Sequence, residues 1–157
     1  MSATTTIREQ IMQNRLAALQ TLLYSDAHTD RPFKVVSRAE FSMFKPAQFP
    51  ACYLYPDKET KSRDGDLYNC ALKIVIALSV MLDNTNADAL LCDLLRQVEL
   101  AMLVDQSCGS LAQKCYELDN DFVTGSASID GLPDRALLLV SWMVNYTHQA
   151  KDPTKTR

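Results

Sequence analysis

The sequence predicts an α+β domain in which a mainly antiparallel sheet carries two helices packed on one face. Three observations lead there. Two segments repeat apolar residues at spacings of three and four, two others alternate apolar and mixed positions, and the strands come in groups instead of alternating one for one with helices. The 157 residues fit a single domain, residues 1–157, with frayed ends expected at about 1–5 and 149–157.

The first helix is announced by its cap. Thr6 followed by Glu9 has the S/T-x-x-E form in which hydroxyl and carboxylate reciprocally satisfy free backbone donors. Ile11, Met12, Leu16, Leu19, Leu22 and Leu23 then form one stripe over residues 7–24, with Gln13, Asn14, Arg15 and Gln20 off it. Residues 25–32 are rich in Asp, Ser and Thr and end in a proline, so the chain turns there. Two short strands are expected at 33–37 and 51–55, bounded by prolines 32, 46, 50 and 56. The loop between them presents three aromatic residues, Phe41, Phe44 and Phe49.

Residues 56–66 (PDKETKSRDGD) are dense in charge and end in a D-G signal, the composition of a solvated hairpin loop. The clearest strand follows. Leu72, Ile74, Ile76, Leu78, Val80 and Leu82 share one face, and Lys73, Val75, Ala77, Ser79 and Met81 the other. Residues 83–86 supply turn and cap residues for a second helix, whose wide stripe is Leu90, Leu91, Leu94, Leu95, Val98 and Met102. Residues 105–114 read as an irregular connection or single helical turn. A strand at 115–124 is expected to bulge or break at Asp119, Asn120 and Asp121. After a second D-G turn, residues 135–147 alternate, with Leu138, Val140, Trp142, Val144 and Tyr146 on one side.

Composition bounds the function. A net charge of -3 argues against gripping nucleic acid by phosphate neutralisation. The five cysteines are odd in number and contain no C-x-x-C, so buried reduced thiols in a cytoplasm-like compartment are expected. The first helical segment is too polar for a secretory signal, and the longest apolar run is too short to cross a bilayer, so no membrane partner is expected.

Chemistry is sparse. His28 and His148 are isolated from each other and from any thiol, which leaves no Cys/His pair and no zinc-ligand spacing. No Gly-rich phosphate loop or nucleophile elbow is present, and Asp119–Asp121 lacks a calcium-loop pattern. No catalytic residue, metal or cofactor is assigned. Candidate protein-interface residues are the charged Asp57, Lys58, Glu59, Lys61, Arg63, Asp64 and Asp66, together with Phe41 and Phe44.

Taken together, five stretches carry a family resemblance: the opening helix IREQIMQNRLAALQTL, FPACYLYPDKET, the strand YNCALKIVIALSVML, the segment ADALLCDLLRQVELAMLVDQSCGSLAQ, and the closing strand ALLLVSWMVNYTH. In order and polarity the chain resembles the tail terminator proteins of long-tailed bacteriophages, also called tail completion or minor tail protein U-like proteins, over residues 7–148. Ser110 intervenes in the Gly-Leu-Ala-like element.

The resemblance implies a non-enzymatic virion protein, assembled in the host cytoplasm and placed at the head-proximal end of the tail. Its implied partners are its own copies in a homohexameric ring, the major tail tube protein, and the head-tail connector or stopper protein. DNA would pass through the lumen without sequence-specific binding. Related head-completion and neck proteins share this size and polarity. A cytosolic α+β binding or adaptor domain with a ligand groove is the alternative from another class, and an enzyme using Asp105 or Asp119 a third.

Overall fold

The computed structural model describes residues 5–38, 45–81, 86–123 and 135–156. The elements in chain order are α1 (Ile7–Gln20), β1 (Val35–Ser37), β2 (Ala51–Asp64), β3 (Leu67–Met81), α2 (Ala87–Leu103), β4 (Lys114–Val123) and β5 (Arg135–Gln149). The strands form one sheet in the order β1-β2-β3-β5-β4, parallel only between β1 and β2. Both helices pack on the same face, α1 over β1 and β2, α2 over β3 and β5, and they touch each other. The α+β class with helices on one side is therefore the architecture of the chain.

The alternating positions explain which face the helices cover. Leu72, Ile74, Ile76, Leu78 and Val80 of β3 and Leu138, Val140, Trp142, Val144 and Tyr146 of β5 are all buried beneath α1 and α2. On the opposite face, away from α1 and α2, Val75, Ala77 and Ser79 are also buried. Across the sheet Ala77 is flanked by Tyr53 and Leu139, and Val75 by Tyr55 and Ser141. A second, smaller cluster of Phe49 and Ala51 with Val35 and Met81 closes one end of this face.

Helix α1 begins where the cap predicts, with the Thr6 hydroxyl accepting from Glu9 N at 3.3 Å. Glu9 points elsewhere, accepting from Arg38 Nη1 at 2.6 Å, so only half of the capping box is used. The helix ends at Gln20, short of the expected 24, because Tyr24 N bonds Phe33 O at 2.7 Å and the chain has already turned. Its buried stripe is Ile7, Ile11, Met12, Arg15 and Leu19. Arg15 thus lies in the stripe and not off it. Its guanidinium donates to Met102 O at 3.1 Å and to Asp105 O at 2.8 Å, satisfying carbonyls at the end of α2 that have no partner inside their own helix.

Two further expectations are corrected. The charged segment 56–66 is not a loop: β2 runs on to Asp64, paired to β3 as far as Asp64↔Leu67, and only Gly65 and Asp66 turn. Gly65 has φ +60°, the conformation that the first central position of a type II′ hairpin turn demands. Charged side chains disfavour a strand locally, but the β3 partner satisfies the backbone on one side, while most of the side chains stay in water and Glu59 is held by Arg8 and Tyr146.

The C-terminal residues 150–156 do not fray. Ala150 N donates to Asp66 O at 2.7 Å, Gln149 N to Lys155 O at 2.9 Å, and Ile7 N to Pro153 O at 3.0 Å. The last bond joins the C-terminal turn to the first turn of α1. The bulge expected near Asp119 is present, with the β4–β5 register shifting between Glu117 and Asp119.

Candidate interaction surfaces

The predicted charged residues of β2 divide by side. Lys58 is exposed on the helix-free face and has no ion pair among the described residues. Asp57 sits at a bulge between Pro56 and Lys58 and pairs with Lys73 at 3.2 Å. Glu59 faces the helix side and is only 11% exposed at its side chain. Its carboxylate accepts from Arg8 Nε and Nη2 at 2.9 and 2.8 Å and from the Tyr146 hydroxyl at 2.6 Å. Lys61 lies 3.5 Å from the same carboxylate.

Glu59 is therefore the centre of an internal polar cluster. Burial pushes its carboxyl upward, but the hydrogen bonds from Arg8 and Tyr146 and the charges of Arg8 and Lys61 outweigh that and hold it below the usual carboxylate range. Burial and the same carboxylate push the Tyr146 phenol up. Lys61 Nζ also donates to His148 Nε2 at 2.9 Å, with His148 Nδ1 2.8 Å from the Gln149 carbonyl oxygen. Arg63 donates to Gly65 O at 3.1 Å and lies 5.9 Å from the Tyr68 ring centre, while Asp64 and Asp66 flank the turn, Asp66 through its carbonyl.

Phe41 and Phe44 fall outside the described residues. Phe49, expected to be exposed, is buried, with the Arg135 guanidinium 5.0 Å from its ring centre.

The surface that sequence reasoning missed lies on the opposite flank. The described exposed large hydrophobic residues are Leu100, Leu103 and Val104 at the end of α2, and Tyr116, Leu118 and Phe122 on β4. Val104 is 85% exposed and Leu118, in the bulge, 43%. Strand β4 is at the end of the strand order, with Cys115 buried in the core and Tyr116, Leu118 and Phe122 exposed. The signal was present in α2: Leu100 and Leu103 lie off the stripe of Leu91, Leu94, Val98 and Met102.

Between α2 and β4 lies an open cavity of about 490 Å³ lined by Glu99, Leu103, Gln106, Lys114, Tyr116, Glu117 and Trp142 among others. Burial, followed by contact with the Glu117 carboxyl, pushes the Glu99 carboxyl up. The Trp142 indole N–H and Glu117 Oε1 have no hydrogen-bond partner among the described residues.

Other chemistry-bearing groups are engaged structurally. Asp105, a candidate acid, accepts from Ser107 N at 3.0 Å, Ser107 Oγ at 2.5 Å and Gly109 N at 2.7 Å, and these bonds hold its carboxyl low. Those bonds fix the turn after α2, where Cys108, Gly109 and Ser110 all take positive φ. Cys52, Cys70, Cys108 and Cys115 are buried and Cys92 is exposed on α2. Among the described residues no group of three His, Cys, Asp or Glu side chains is placed to hold a metal. No described helix is long and apolar enough to cross a membrane.

No protein-family model matches the chain, and no curated protein is significantly similar to it in sequence.

Proposed function

We propose that the chain is a structural assembly protein of the tail-terminator kind, which closes into a ring with its own copies, caps the phage tail tube, ends its polymerisation and offers a face to the head connector. The observation that carries this reading is the exposure of large apolar side chains along the β4 flank, Tyr116, Leu118 and Phe122, with Leu100 and Leu103 exposed on α2. A lone domain leaves such a flank in water, whereas an assembly covers it. A heterologous contact, in which one flank meets a different flank of the next copy, closes into a ring and limits its own growth. The resemblance of the sequence to tail terminators in order and polarity supports a tail tube as the polymer.

Such a protein needs matched surfaces and no reaction, which accords with acids and thiols committed to folding, as at Glu59 and Asp105. The test is twofold. Light scattering is expected to give a particle of about six chain masses, and added protein is expected to stop elongation of tail tubes. Strictly monomeric protein that leaves tube growth unchanged refutes the reading. The cavity beside Glu99 and Trp142 favours the alternative of a small-ligand binding domain; saturable binding of a small molecule there by monomeric protein would select it.

A further inference from the structure

The sheet has two unlike edges. One is β4. On the other side, β1 covers β2 at Ala51, Cys52 and Tyr53, so from Leu54 onward the edge among the described residues is β2 itself. Among the described residues no segment outside the β2–β3 ladder bonds the backbone of β2 beyond Tyr53, and none outside the β4–β5 ladder bonds that of β4. Among the described residues both edges therefore offer free N–H and C=O groups.

Their directions match. β2 pairs antiparallel with β3, β3 with β5, and β5 with β4, so β4 runs opposite to β2. A second copy placed by rotation about an axis along the strands brings its β2 antiparallel to this β4, the arrangement of an ordinary antiparallel ladder.

Their charges match as well. On the helix-free face β4 carries Asp119 and Asp121, with Lys114 at its start. On β2, Lys58 is exposed with no ion pair among the described residues, whereas Glu59 and Lys61 are held in the cluster with Arg8 and Tyr146 and Asp57 pairs with Lys73. The register across the sheet sets the heights: Lys58 is level with Lys73, Met143 and Tyr116, and Tyr55 with Val75, Ser141 and Asp119. All of these project from the helix-free face. At equal height, Lys58 of one copy stands beside Tyr116 of the next and one step from its Asp119, with Tyr55 beside the Leu118 bulge.

We propose that copies of this chain associate by continuing the sheet, the free edge of β2 in one copy pairing antiparallel with β4 of the next and Lys58 reaching diagonally to Asp119. This rests on the ring reading and names its seam. The bulges at Asp57 and Leu118 interrupt each edge, which keeps the shared ladder short and opposes indiscriminate edge pairing.

Charge reversal tests the seam. Lys58→Glu and Asp119→Lys alter exposed side chains, and circular dichroism with urea unfolding checks that each variant keeps the fold. Each variant alone is expected to associate about tenfold more weakly than the parent chain, with the loss shrinking at high salt. An equimolar mixture of the two is expected to recover association, because each copy then meets a complementary neighbour at both edges; K58E/D119K in one chain recovers it too. Unchanged association of both single variants, or a mixture no better than either alone, overturns the proposal. If the parent chain stays monomeric yet stops tube growth, the seam is wrong and the tail-terminator reading stands. If it associates through this seam without affecting tubes, the seam stands and that reading falls.

Discussion

Replacing Glu59 separates an internal polar cluster from a docking charge. In Glu59→Ala the Tyr146 hydroxyl, on a residue 1% exposed, loses the acceptor it reaches at 2.6 Å. An unsatisfied buried donor costs about 1–3 kcal/mol. The Arg8 pair adds only about 0.5 kcal/mol, because the Arg8 side chain is 45% exposed and screened by solvent. The expected destabilisation is about 1.5–3.5 kcal/mol at pH 7. Glu59→Gln keeps an acceptor for Tyr146 and is expected to lose about half as much.

The pH dependence follows from the direction of the Glu59 shift. Its folded pKa lies below the ordinary carboxylate value, so the ion's contribution is complete above about pH 5 and is lost as pH falls through the folded pKa. The gap between parent and Glu59→Gln is thus widest at neutral pH and narrows below about pH 4. Urea unfolding at fixed, low protein concentration from pH 3 to 7 measures it, with concentration held constant because association would add stability. A Glu59→Ala variant within about 0.5 kcal/mol of the parent at pH 7 would refute the internal role.

Three other outcomes are expected. Arg15→Ala removes the donors that satisfy Met102 O and Asp105 O and should cost about 2–4 kcal/mol, with hydrogen exchange rising first at the end of α2; uniform exchange would show that the guanidinium does not hold that end. Gly65→Ala forces a side chain into φ +60° with nothing within 4 Å of the added carbon, so backbone strain alone should lower stability by about 1 kcal/mol in urea titrations. In native protein a thiol reagent should label the exposed Cys92 rapidly and Cys52 only after unfolding, since burial pushes the Cys52 thiol up; rapid native labelling of Cys52 would contradict its position under the helices.

The elements legible in the sequence were those whose pattern is local. The Thr6 cap, the alternation from Leu72 to Val80 and from Leu138 to Tyr146, and the break in β4 each depend on neighbours a few residues away. Residues 56–64 misled for the same reason: their charge argues for a loop, and only the ladder to β3, contributed by distant residues, makes them strand. Arg15 read as a surface residue because a guanidinium belongs in water unless something buried needs its donors. What needs them is the end of α2, some 90 positions along the chain.

The candidate surface divides along the same line. Composition and spacing pointed to the β2 charges, and the structure turns Lys58 outward while drawing Glu59 inward to Arg8 and Tyr146. The exposed apolar flank was hidden because Tyr116, Leu118 and Phe122 look like any strand's core residues until β4 is found at the edge of the sheet. By itself the sequence determined the α+β class and the apolar face of each long element, because periodicity is a property of adjacent residues. Tertiary structure alone decided which strands are edges and which charges are already paired inside, because both depend on what residues far apart in the chain bring to the same place.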